Sequence, residues 1–305
     1  MINAGNYPAP RLRSRVRAPL THFWSTAMTY KTIVVHLDTS ERAHPRLEFA
    51  LRLAKQFDAH LIGVFAVFTP DPRSLYVMAG TAEYYGTHEQ LRAERRGALE
   101  RLFHAELSRA EVAGEWIAVD APASLAVPQR GRCADLIIAS QDDPHDPESY
   151  VGDFFPENLL MSAGRPVLLV PYASSVTSPG AHVMIAWDGS REATRAVHDA
   201  LPFMHAAKTT TVVTVNGERG EPRARIPGAD IATLIARHGV NVEVKDIEVG
   251  RDASIGDALL SQVSAIGADL LVMGAYGHAR WQELVMGGAT RTVLKSMTVP
   301  VLMSH

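Results

Sequence analysis

The residues best suited to chemistry lie near the end of the chain, where Gly274-Ala275-Tyr276-Gly277 is followed after nine residues by Gly287-Gly288-Ala289-Thr290. Glycine lets a backbone approach a ligand closely, and the open start of a helix presents unpaired N–H groups at the positive end of its dipole. A helix running on through Thr292, Val293 and Leu294 would open as a seat for phosphate, with the Thr290 hydroxyl as a further donor. Upstream, Asp188 follows an apolar run and offers a carboxylate to a base or ribose across the cleft, while His278 and Arg280 face either phosphates or solvent. Each piece has a plainer meaning. A Gly-x-x-Gly turn is most often just a turn, and Asp188 before Gly189-Ser190 is equally a helix-start signal. The second pair of glycines, opening a helix in a sheet of this order, sets a nucleotide level with those readings.

The elements that must position these residues emerge when the chain is compared with itself. At a shift of 150, Thr32 to Ser40 aligns with His182 to Ser190, and both segments read as a strand ending in Asp-x-Ser. Behind each, Ala43, Leu47, Ala50, Leu51 and Ala54 match Ala193, Val197, Ala200, Leu201 and Met204, an apolar stripe at helical spacing. Second strands follow at Leu61 to Val64 and Thr211 to Thr214. Near the ends the shift becomes 134, matching Asp135 to Ile138 with Asp269 to Val272 and Arg165 to Leu168 with Val299 to Leu302. The additional residues of the first copy fall around Phe68 to Val112, read as a loop holding Tyr84 and Tyr85 before a long helix. In the second copy, helices through Ile231 and Ile255 stop at Gly239 and Gly267, with a strand near Val240 to Ile247 between them.

Strands alternating with helices imply two doubly wound, open, parallel five-stranded α/β sheets in tandem, since each right-handed crossover lays its helix on a sheet face. The expected organisation is an arm at 1–29, a first domain at 30–172, a linker at 173–180 and a second domain at 181–305. The arm is acid-free, with Arg11, Arg13, Arg15 and Arg17 among prolines, and reads as disordered. It lacks the apolar stretch of a secretory signal, and Met28, directly before the first strand, reads as the biological start. Ligands of such sheets gather at the carboxyl ends of the strands, where strand order reverses, which is where Asp188 and the glycine turn fall.

The tandem copies, the Asp after the first strand and Gly-x2-Gly-x9-Gly before a helix together resemble the universal stress protein family, in a tandem two-domain form reaching from Tyr30 to His305. In ATP-binding members the spaced glycines hold ribose and phosphates, with Ser or Thr directly after the third glycine; this chain has Gly288 there. The resemblance implies a nucleotide site made by Asp188, Val215, Met273, Gly274, Gly277, His278, Gly287, Gly288, Ala289 and Thr290. Within it Asp188 meets the adenosine and the Val215 backbone reads the adenine. The cofactor implied is ATP, with or without Mg²⁺, or another adenine nucleotide, and the role is one in stress response. Copy one departs. Ser140, Asp143, Asp153 and Phe154 replace Gly274, Gly277, Gly287 and Gly288, and with Asp142, Asp146 and Glu148 they put negative charge where phosphate would sit. That copy reads as scaffold and interface.

Composition bounds the alternatives. Thirty basic against 33 acidic side chains give a net charge of -3, so no positive field is available to hold nucleic acid. The single cysteine, Cys133, fits a reducing, cytoplasmic setting, and no apolar run approaches the ~20 residues that span a bilayer. No P-loop, dinucleotide-binding turn, nucleophile elbow or zinc-type histidine spacing occurs, which leaves slow ATP hydrolysis as the only enzymatic expectation. A non-nucleotide interaction or scaffold protein of the same fold is the rival from another class. Each copy ends in a short apolar strand, Pro166 to Val170 and Pro300 to Met303, and pairing these would hide both edges. The partners expected are an adenine nucleotide, the other repeat in an intramolecular pseudo-dimer, and a second chain in a homodimer.

Overall fold

A computed structural model describes residues 29–66, 82–146, 154–173, 178–217, 228–250, 254–277 and 288–305. The N-terminal repeat runs β1 (Thr32–Leu37), α1 (Ala43–Phe57), β2 (His60–Ala66), α2 (Ala82–Ala110), β3 (Gly114–Val119), α3 (Ala123–Gly131), β4 (Leu136–Ser140), α4 (Phe155–Ser162) and β5 (Val167–Val170). The C-terminal repeat runs β6 (His182–Trp187), α5 (Arg191–Asp199), α6 (Leu201–Ala206), β7 (Thr209–Gly217), α7 (Gly228–Arg237), β8 (Val242–Val249), α8 (Ile255–Ile266), β9 (Leu270–Gly274), α9 (Gly288–Ser296) and β10 (Val301–Ser304). Gly239 and Gly267 follow α7 and α8 in left-handed conformation, at φ 80° and 65°, as their places in the sequence require.

Two expectations change in detail. Tyr84 and Tyr85 fall inside α2 rather than in a loop before it. The second copy's first helix is divided between Asp199 and Leu201, because Pro202 occupies the first turn of α6 and its ring cannot continue the preceding helix. Most of the arm and the middle of the linker lie outside the described residues.

The ten strands form one sheet in the order β3-β2-β1-β4-β5-β10-β9-β6-β7-β8. Within each repeat every pairing is parallel; the repeats join through β5 and β10, which run antiparallel with Leu302 opposite Leu168. The two terminal edges thus cover each other, and the tandem five-stranded sheets become a single twisted layer. One apolar core lies on each face, and each is continuous across the repeats: Leu136, Leu168, Leu302 and Leu270 on one, Ile137, Leu169, Val301 and Leu271 on the other. Side chains tighten the junction. Phe57 of α1 meets Phe203 of α6 edge-on at 5.0 to 5.6 Å from Tyr30, whose hydroxyl donates to the Asp199 carbonyl at 2.6 Å. Gln141, directly after β4, donates through Nε2 to the Leu294 and Lys295 carbonyls at 2.9 Å, so the first repeat caps the C-terminal end of α9 in the second. Among the described residues no helix is long and apolar enough to cross a membrane.

Candidate functional site

In each repeat the strand order reverses between the first and fourth strands, β1 and β4 in one and β6 and β9 in the other. A crevice at the carboxyl ends of such strands is where ligands of open α/β sheets bind. Asp188 follows β6 there. It is exposed, and its Oδ1 accepts the Ser190 amide at 2.9 Å, while Ser190 Oγ accepts from Ala193 and caps α5. Asp188 thus shapes the turn before α5, whose cap is Ser190, and its carboxylate remains exposed.

The glycines divide by what surrounds them. A Cβ at Gly274 would lie 2.5 Å from the Ala193 nitrogen and 2.7 Å from the Glu192 carbonyl carbon, so β9 ends pressed against the start of α5. At Gly277 a Cβ would reach Ser190 Oγ at 2.9 Å and Glu192 Oε2 at 3.2 Å, again a close approach. Gly288 differs: a Cβ there would meet nothing within 4 Å. Among the described residues no packing demand explains that glycine. Among the described residues the Gly288 and Ala289 amides, in the first turn of α9, have no acceptor, as a helix start leaves them. The Tyr276 amide, at the left-handed φ of 59°, points to Thr290 Oγ1 at 3.4 Å and ties the glycine turn to the first turn of α9.

Other expected site residues stand as follows. Thr290 is buried, and its hydroxyl oxygen is engaged by that loop contact. Met273 is also buried, in the core of the α8 and α9 face, which leaves only its backbone for a ligand. Val215 is half-buried near the end of β7 beside Ile247 of β8. His278 and Gly287 lie outside the described residues. Two polar groups were missed. Glu192 is buried with Oε1 bound by Arg191 and Oε2 without a partner beside Gly277, and the Tyr276 hydroxyl is buried without a partner, its pKa raised by burial first and by Glu157 second. The signal for Glu192 was its place four residues after Asp188, in the first turn of a helix whose start meets the crevice.

The first repeat fills its crevice from within. At the position of exposed Asp188 stands Asp38, 5 % exposed, with Arg46 Nη2 at 2.8 Å from its Oδ2 and Ser40 donating to Oδ1. Burial would raise the Asp38 carboxyl, but Arg46, His36 and these hydrogen bonds hold it below the ordinary range. Arg46 and His36 replace Ala196 and Ala186, and Phe155 replaces Ala289. The acidic loop closes down through Asp143, which takes the Arg42 guanidinium at 3.4 Å, and Asp146, which accepts the Glu41 amide at 2.9 Å. Among the described residues no group of three metal-ligating side chains converges.

Comparison with known proteins follows the same division. The model of the Universal stress protein family matches residues 29–171 and, again, residues 181–305. A universal stress protein of Synechocystis sp. (strain ATCC 27184 / PCC 6803 / Kazusa) is 28% identical over 147 residues, covering 48% of this chain and 49% of that protein. The chain thus spans about half the length of the curated relative it matches. Among solved structures, a universal stress protein of Archaeoglobus fulgidus is similar with a TM-score of 0.65 at 19% identity, over 90% of this chain and 97% of that one. A Pseudomonas aeruginosa protein described as functionally unknown is similar at 0.59 and 16% identity, over 90% and 92%. These likenesses share the fold, and the family model accounts for both repeats: the chain belongs to the Universal stress protein family.

Proposed function

We propose that the C-terminal repeat binds ATP or another adenine nucleotide in the crevice between β6 and β9, and that the protein serves a stress response through that binding. The observation that carries the reading is the unfilled start of α9. Gly288 has open space where a side chain would stand, and the Tyr276 contact with Thr290 holds that start against the glycine turn. Backbone amides at such a start, aided by the helix dipole, favour a phosphate. Asp188 takes the adenosine, the Val215 backbone reads the base, and Gly274, Gly277, Gly287, Gly288 and Ala289 surround ribose and phosphates, with Met273, His278 and Thr290 beside them. Magnesium would enter on the phosphates, since the described residues offer no cluster of their own for it.

On this reading the unit at 30–172 is a scaffold, 173–180 a linker and 181–305 the nucleotide domain, with the β5–β10 pairing acting as a covalent pseudo-dimer. Work in the cytoplasm is supported by the lone cysteine. Turnover of ATP is slow and incidental at most. A second reading, an interaction protein that has lost nucleotide binding, is favoured by one feature: the Glu192 carboxylate oxygen beside Gly277 sets negative charge against a phosphate. Calorimetric titration of the full chain with ATP, ADP and AMP separates the two. Saturable heat supports the first; no heat and no thermal shift at millimolar ligand leaves the second.

A further inference from the structure

The ten-stranded sheet ends in two strands that pair on one side, β3 and β8. β8 is the longer, eight residues against six, and the more open: Glu243, Val244, Lys245 and Asp246 are all exposed. Among the described residues no strand pairs with its outer side. Such an edge offers a row of free N–H and C=O groups to another strand. Alternation sorts the side chains of β8 between the two faces. Val242 joins the core on the α7 side, and Val244 lies on that side too, its Cγ1 3.1 Å from where a Cβ of Gly228 would stand at the start of α7. Ile247 joins the core of the opposite face, which Glu243 and Lys245 share by the same alternation. Val244 is 43 % exposed, a large apolar side chain left in the open. Among the described residues Glu243 and Lys245 have no ion-pair partner.

The chain already contains a joint between two sheet edges. β5 and β10 pair antiparallel about Leu168 and Leu302, residues that match at the shift of 134. A two-fold axis through one residue of β8 joins two copies of the chain in the same way, and since residues set opposite each other share a face, the central residue fixes every pair. Among the axes that pair at least five residues of β8, those through Lys245 and Asp246 set like charges opposite, and the axis through Ile247 sets Asp246 against Glu248 twice. The axis through Val244 sets Val244 against Val244 and, on either side of it, Glu243 against Lys245 of the other copy. Asp246, hydrogen-bonded by Thr214 Oγ1 of its own chain, then faces Val242. Apolar and opposite-charge pairs across strands stabilise a sheet, and like charges opposite each other destabilise it. β3 offers no such match, its one charge being Glu115. We propose that the protein forms a homodimer by antiparallel pairing of β8 with β8 of a second copy, centred on Val244. Charges on an edge strand commonly deter pairing; here their order selects one register and one partner. β7 stands between this edge and the β6–β9 crevice, so the inference does not rest on nucleotide binding.

The test is sedimentation velocity of the full chain without nucleotide, over a series from about 1 to about 500 μM. The wild type should pass from monomer to dimer within that range. Lys245→Glu and Glu243→Lys each set like charges opposite at both pairs, and each should weaken the dimer at least about tenfold. Both positions are exposed, so both variants should melt as the wild type does. An equal mixture of the two variants restores every opposite-charge pair and should dimerise, as should the chain that carries both exchanges. Amide exchange of the wild type needs no variant: β8 should gain protection as concentration rises, and β3 should not. Four results would overturn the proposal: a monomer throughout, a dimer indifferent to both single exchanges, a mixture of the variants that stays monomeric, or a dimer whose β8 amides exchange as fast as the monomer's. Growth past the dimer into open-ended chains would overturn it too, as the sign that β8 pairs with β3 of the next copy.

Discussion

Acid should destabilise this protein through His36 before it protonates the ordinary carboxylates. Burial is the largest influence on the ring and lowers its pKa from 6.5 to about 4; Asp38 works against burial, and Arg46 works with it. The folded chain therefore binds fewer protons here than the unfolded chain between these two values, so stability rises with pH across that window and is lost as pH falls from 6.5 toward 4. At about 1.4 kcal/mol per unit, the full loss is about 3 kcal/mol. Asp142 pulls the other way. Its pKa is raised to about 6 by burial first, then by Glu157 and Asp38, so that carboxyl adds stability as pH falls, by an amount that its exposed position reduces. Subtraction isolates the histidine: urea unfolding of the wild type and His36→Phe at half-unit steps from pH 4 to 8 should give a stability difference that shifts against the wild type by about 3 kcal/mol toward acid. A difference that stays flat, or one that shifts toward the wild type, would refute the buried neutral imidazole.

Four further outcomes follow from the contacts. Gly274→Val should destabilise the chain by about 3 kcal/mol or more, because backbone atoms of α5 at 2.5 and 2.7 Å cannot yield; thermal unfolding reads this directly. Gly288→Ala meets open space and should leave the melting temperature unchanged or raise stability by up to about 1 kcal/mol, while weakening nucleotide heat in calorimetry. Gln141→Ala removes the cap that joins the repeats and should cost about 1 to 2 kcal/mol in urea unfolding, with the loss centred on α9 in amide exchange. Arg46→Met strands a buried carboxylate and should cost about 3 to 5 kcal/mol, most of which Asp38→Asn in the same chain should restore; a double variant as unstable as the single one would show that the pair matters for packing alone.

Much of the fold was legible because its signals are local and repeated. Asp-x-Ser after an apolar run marked both first strands, and the stripe from Ala193 to Met204 marked a helical face, although Pro202 cuts it in two. The pairing of β5 with β10 was legible from two apolar terminal strands that would hide each other's edges; their antiparallel register, with Leu302 opposite Leu168, is a long-range matter that periodicity does not encode. At the site, the glycines were visible but their roles were not. Gly274 and Gly277 make room for α5, a neighbour set by the sheet, whereas Gly288 stands free. The buried charges of the first repeat were hidden for a related reason. Arg46 sits between Ala43 and Leu47 on an inward helix face, where a cation reads as an interruption until the fold sets it against Asp38. Gln141 carries no local signal of its role, because the α9 carbonyls it reaches belong to the other repeat.

The central claim is that amides opening α9 in the second repeat receive the phosphates of an adenine nucleotide. Isothermal titration of ATP into the full chain, paired with the same titration into Gly277→Val, tests it most directly. The expected result is saturable heat from the wild type and its loss in the variant, where the added side chain would crowd Ser190 and Glu192. Silence from a folded wild type, or equal heat from both proteins, would contradict it.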